Sequence, residues 1–180
     1  DHGCDWSSDV CSSDLKHCHV EAGPNRSESM CLETMKECLQ VFKENNFQVL
    51  DITGGAPEMN PNFQWLIEEA SAMQCKVIVR SNLVILMKKG YRHLLEFYAN
   101  HNVEVVGSLP YYSAKDSNRQ RGEGVFEESI IVLKQLNKLG YGKKQDLILN
   151  LVYNPGGAFL PPAQDAFEKE YKHKDRKSVV

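Results

Sequence analysis

Cys18 stands between His17 and His19 in the segment Lys16 to Pro24, KHCHVEAGP, just ahead of an amphipathic stretch. Thiolate and imidazole are metal-binding side chains, so this loop is the first candidate for a metal site. Cys11, His17, Cys18 and His19 could together hold zinc in a small binding module, although adjacent residues seldom aim at one ion. A second group is Thr53-Gly54-Gly55-Ala56-Pro57-Glu58. Paired glycines let backbone amides approach a ligand with no Cβ in the way, and Glu58 could accept hydrogen bonds from a ligand ammonium. A simple tight turn would use the same glycines. Arg80-Ser81-Asn82, Ser108-Leu109-Pro110-Tyr111-Tyr112 and Asn154-Pro155-Gly156-Gly157 are further polar clusters. Asp116 with Arg119 to Arg121 could clamp an anionic group or form an exposed loop ion pair. Gly122 to Glu127 lacks the third glycine of a dinucleotide fingerprint, and no loop ends in the Gly-Lys-Ser/Thr of a P-loop.

The elements that must position these groups alternate between two periods. Val49 to Thr53, Lys76 to Arg80, Val103 to Ser108 and Leu147 to Tyr153 are short, apolar and β-branched, as strands buried on both faces should be. Between them, Glu28 to Asn45, Pro61 to Gln74 and Val125 to Leu139 carry apolar residues at helical spacing. Asn25 with Glu28 reads as a capping pair, Pro61 suits a first helical turn, and Gly140 suits a C-terminal stop. Strand and helix in repetition imply an α/β fold with a parallel sheet, either doubly wound or a full or partial (β/α) barrel. In both versions the loops after the strands share one rim, and every polar cluster from Thr53 onward follows a strand.

Composition narrows the function classes. The chain has 180 residues, 21 basic and 24 acidic side chains and a net charge of -3. Without a long Lys/Arg block, a nucleic-acid or anionic-membrane surface is not expected. The densest basic cluster, Lys88, Lys89, Arg92 and His93, reads as a solvated helix face. No apolar run is long enough to span a membrane, and the first fifteen residues lack the apolar stretch of a signal peptide. A cytoplasmic location follows as the expectation, with the six cysteines as reduced thiols. Cys31, Cys38 and Cys75 are then expected as buried core thiols.

The strings HCHVEAGPNR, DITGGAPEMNPNF, VIVRSNL, SLPYY, QRGEGVFEESI, LNKLGYG and LNLVYNPGGAFLPPAQ occur in this order between His17 and Gln164. Together they closely resemble the arsenosugar biosynthesis proteins of the radical S-adenosylmethionine (SAM) family, over Lys16 to about Lys174. The resemblance implies a partial TIM-type barrel lacking its first strand, and a cytoplasmic enzyme with two cofactors, a 4Fe-4S cluster and SAM. Three thiolates of a CxxxCxxC loop would hold the cluster and leave one iron for the amino and carboxylate groups of SAM. Reductive cleavage of the sulfonium would give methionine and a 5'-deoxyadenosyl radical. The arsenosugar branch implies transfer of that group to a methylated trivalent arsenical. An alternative within the family is another radical reaction, such as methylthiolation or peptide modification.

By motif matching, Cys18 and Cys11 fall at the third and first cluster positions, and Leu15 falls at the second, where leucine cannot ligate iron. This chain is therefore expected to hold a cluster poorly and to be inactive. Gly54, Gly55 and Glu58 would line the SAM amino group, and Arg80 and Asn82 its carboxylate and ribose, with Ser108 and Asn154 as further rim residues. Tyr111 stands where some relatives carry Cys or selenocysteine. The implied partners are a small arsenical substrate and an electron donor such as flavodoxin or ferredoxin, with no nucleic acid and no membrane.

Asp5 to Leu15, DWSSDVCSSDL, and Asp175 to Val180, DRKSVV, resemble translated sequencing-adapter DNA. A natural polar tail is the alternative. The expected organisation is foreign sequence over 1–15, a partial core domain over 16–154, the start of a truncated C-terminal domain over 155–174, and foreign sequence over 175–180.

Overall fold

A computed structural model describes Asn25 and residues 28–109 and 124–152. The β-branched segments form four parallel strands: β1 (Val49–Ile52), β2 (Lys76–Ser81), β3 (Glu104–Ser108) and β4 (Leu149–Val152). They lie in the order β1-β2-β3-β4, with Val49 beside Lys76, Ile78 beside Glu104, and Val105 beside Leu149. The helices are α1 (Leu32–Glu44), α2 (Phe63–Ala72), α3 (Leu94–Asn100) and α4 (Val125–Leu139). Two short 3-10 turns, Pro57–Met59 and Val84–Met87, follow β1 and β2.

The order never reverses. Right-handed crossovers in such a sheet carry the connecting segments over one side of it, and burial agrees. Leu50, Ile52, Val77, Val79 and Val105 share a core with Met35, Leu39 and Phe42 of α1, Phe63, Leu66 and Ile67 of α2, Leu94 and Tyr98 of α3, and Val132 and Leu136 of α4. The alternate residues point to the other face, which carries Asp51, Lys76, Arg80, Glu104, Ser108 and Asn150. Burial on both faces, expected of every strand, holds only for β3. In β1, β2 and β4, residues of the helix-free face such as Asp51, Lys76, Arg80 and Asn150 meet solvent.

Several expected boundaries move. Helix α4 coincides with the expected Val125 to Leu139, since it is flanked by glycines at both caps and Gly140 adopts φ +113°. Helix α1 begins four residues later than expected, with Cys31 as N-cap in place of Asn25, which lies in a turn. Helix α2 starts at Phe63, because Asn60 accepts the amides of Asn62 and Phe63 and takes over the first turn that Pro61 was expected to make. Lys88, Lys89, Arg92 and His93 are exposed but not on a helix face. They occupy the turns between the second 3-10 turn and α3, where Arg92 donates to the carbonyl of Met87.

Candidate functional site

The C-terminal ends of the strands bring the loops after β1 and β2 next to the end of β3. Gly54, at φ +149°, and Gly55 follow β1 directly, and both remain partly accessible. An L side chain is disfavoured at Gly54, which keeps the turn bare and its amides approachable. Ala56 and Pro57 are then buried and lead into the 3-10 turn that carries Glu58.

Glu58 does not open onto the rim. Its side chain turns under the loop into the helix-packed layer and is 4% exposed. Ser81 at the end of β2 donates its hydroxyl to Glu58 Oε1 at 2.5 Å, and Tyr98 of α3 donates to the same oxygen at 3.2 Å. The Ser81 Oγ in turn accepts the amide of Leu83 at 3.1 Å. Glu58 Oε2 is buried with no hydrogen-bond partner. Burial pushes the Glu58 carboxyl above its ordinary range, against the opposing pull of its hydrogen bonds, chiefly from Ser81. Burial and the neighbouring Glu58 charge hold the Tyr98 phenol far above its own.

The loop after β2 is strained. Leu83, fully buried, adopts φ +63°, ψ -46°. A left-handed backbone costs a non-glycine residue about 1–2 kcal/mol, so its surroundings must hold it there. Its side chain fills the space beside Gly107 of β3, where an added Cβ would come within 2.9 Å of Leu83 Cδ1. Asn82 caps the following turn by accepting the amide of Ile85 at 3.0 Å. Ser108, partly buried, ends β3.

On the helix-free face, Arg80 makes a two-pronged pair with Asp51: Nε to Oδ1 at 2.9 Å and Nη2 to Oδ2 at 2.8 Å. The Arg80 and Asp51 side chains are 46% and 39% exposed, and the pairing raises the pKa of Arg80 further. At the other end of the strands, Glu104 accepts from Asn150 at 2.7 Å. Its second oxygen makes no regular hydrogen bond but meets Lys76 Nζ at 2.5 Å.

Of the expected site residues, Gly54, Gly55, Asn82 and Ser108 lie at the rim. Glu58 lies beneath it, and Arg80 lies on the helix-free face already paired. Cys11, Leu15, His17, Cys18, His19, Tyr111, Asp116, Arg119, Arg121 and Asn154 lie outside the described residues. Among the described residues no group of three or more His, Cys, Asp or Glu could hold a metal ion. Cys38 is buried as expected. Cys31 is instead exposed at the start of α1, beside the Thr34 hydroxyl at 3.3 Å, and Cys75 is half-buried. Cys75 Sγ donates to the Ala70 carbonyl at 3.1 Å, and burial pushes its thiol up. Sequence reasoning missed Tyr98, the Ser81 hydroxyl and Leu83. The one available signal was Ser81 itself, a hydroxyl inside a rim cluster.

No protein-family model matches the chain. The antilisterial bacteriocin subtilosin biosynthesis protein AlbA of Bacillus subtilis is 26% identical over 131 residues, covering 72% of this chain and 29% of AlbA. Streptococcus suis SuiB bound to S-adenosylmethionine superposes with a TM-score of 0.67 at 17% identity, over 96% of this chain and 37% of SuiB. SuiB bound to its precursor peptide SuiA gives 0.67 at 18%, over 97% and 36%. The chain is thus similar in sequence to AlbA and in fold to SuiB. It spans less than a third of AlbA and little more than a third of SuiB, and the SuiB likeness shows a shared fold. No helix among the described residues is long and apolar enough to cross a membrane.

Proposed function

We propose that the chain carries part of a radical SAM core that binds SAM at the rim of the sheet and transfers the 5'-deoxyadenosyl group to a methylated trivalent arsenical. The observation that carries the SAM site is the convergence of Gly54-Gly55, Asn82 and Ser108 on adjacent strand ends, in a fold shared with SAM-bound SuiB. The sheet is a segment of a TIM-type barrel in this reading. Its unreversed order and its helices packed against one face support that.

The rim fits an amino-acid moiety. Bare backbone at Gly54-Gly55 admits close approach. Arg80 and Asn82 are the proposed groups toward the SAM carboxylate and ribose, and Ser108 and Asn154 complete the rim. The Asp51 pair holds the Arg80 guanidinium in place on the helix-free face. Cys18 and Cys11, outside the described residues, are the proposed cluster ligands by motif matching. A 4Fe-4S cluster, when bound, supplies the electron for SAM cleavage. With Leu15 at the second ligand position, the chain as written is proposed to be inactive. The cytoplasm, and an electron donor such as flavodoxin or ferredoxin, complete the reading.

The arsenical substrate rests on the ordered strings from HCHVEAGPNR to LNLVYNPGGAFLPPAQ. A second reading, peptide modification, is favoured by AlbA, a bacteriocin biosynthesis protein, and by SuiB, which binds a precursor peptide. Product analysis separates them. The reconstituted Leu15→Cys chain, given reductant, SAM and a dimethylated trivalent arsenical, is expected to yield a product with an As-C5' bond. Formation of 5'-deoxyadenosine with no arsenic adduct would overturn the arsenical assignment.

A further inference from the structure

Three features of the described residues stand beside the rim: an apolar groove along the β1 edge, the polar helix-free face, and the buried trio around Glu58. Nothing shows what covers the groove, and the helix-free face belongs to the site already described. The trio carries more.

We infer that Tyr98 and Ser81 are positioning residues that act through Glu58 to hold the loops after β1 and β2 in one fixed arrangement at the rim. The inference rests on the reading of that rim as the ligand-facing side. Glu58 lies in the turn that immediately follows Gly54-Gly55, so fixing its carboxyl fixes the end of the glycine turn. One oxygen, Oε1, receives both the Ser81 and the Tyr98 hydroxyls. Three segments, the loop after β1, the end of β2 and helix α3, therefore meet at one buried atom. The connection continues through the Ser81 oxygen to the amide of Leu83. The left-handed conformation of Leu83 is thereby held, and its side chain closes against Gly107 of β3. Phe63 of α2 packs edge-on to Tyr98, with ring centroids 6.1 Å apart. A satisfied buried network specifies one arrangement, whereas a partly broken one leaves polar groups stranded.

The test is residue-resolved amide hydrogen exchange on the full 180-residue chain, which needs neither cluster nor ligand. Four amides report the arrangement: Met59 and Asn60 in the turn after β1, and Leu83 and Ile85 after β2. Tyr98→Phe is expected to speed their exchange about tenfold, the factor of one buried hydrogen bond, while the amides of β2 and β3 change little. Ser81→Ala is expected to do the same and to affect Leu83 most. Glu58→Gln, which keeps an acceptor oxygen, is expected to retain most of the protection that Glu58→Ala loses. Equal acceleration throughout the chain, or no change at the four amides, would overturn the inference. Titration of the reconstituted Leu15→Cys chain with SAM is a separate arm. A network that behaves as stated, in a reconstituted Leu15→Cys chain that never binds SAM, would sink the ligand reading alone.

Discussion

Asp51 and Glu58 flank the same glycine turn and meet opposite surroundings. Asp51 points to the helix-free face, half in solvent, and holds a full guanidinium fork from Arg80. Glu58 points under the loop into the helix-packed layer, with two hydroxyls as partners and no cation. The exposed pair has the better geometry on paper, but water competes for both charges and its net worth is small. The buried carboxyl has neutral partners and one unmet oxygen, yet removing it strands two hydroxyls where water does not reach. Local cost at this turn is set by burial more than by formal charge.

The sharpest way to break that contrast is Glu58→Ala, expected to lower unfolding stability by about 2–3 kcal/mol in urea titration, from unsatisfied hydroxyls and a small cavity. Gly107→Ala is next. Its Cβ would press on Leu83 at 2.9 Å, and a loss of about 1–2 kcal/mol is expected. A second substitution, Leu83→Ala, relieves that clash if the contact is its cause, which a double-mutant cycle reads as non-additivity.

The pH dependence should follow Glu58. Its folded pKa is raised above the ordinary 4.5, so between those two values the folded state binds more protons than the unfolded one. The contribution of this group to stability is full below about 4.5 and is lost as pH rises through the folded pKa. Urea midpoints of wild type relative to Glu58→Gln should therefore fall as pH rises from about 4.5. A flat difference would mean that the carboxyl titrates normally. The smallest effect belongs to Asp51→Asn, expected to cost under about 1 kcal/mol and less at high salt. A larger loss than that of Glu58→Ala would reverse the comparison.

The same contrast marks what could be read from residue order. Four parallel strands and α4 were legible because Val/Ile runs follow at regular spacing and Gly140 ends a long apolar stripe. Helix α3 was not, since the seven residues LLEFYAN are too few to show a helical period. The rim clusters at Gly54-Gly55, Asn82 and Ser108 were legible as polar residues placed after strands. The inward turn of Glu58 was not, because GGAPE reads as an exposed loop, and its partner Tyr98 comes from a helix forty residues away. Leucine at position 83 gives no warning of a left-handed backbone. Only its packing against Gly107 and the Ser81 bond explain that conformation.

The most direct test of the account is electron paramagnetic resonance on two proteins, the chain as written and Leu15→Cys, each reconstituted anaerobically with iron and sulfide, reduced, and measured with and without SAM. The account predicts a reduced-cluster signal that shifts on adding SAM in Leu15→Cys, and little or none in the chain as written. A folded, colourless, zinc-loaded Leu15→Cys protein with no cluster signal would contradict it.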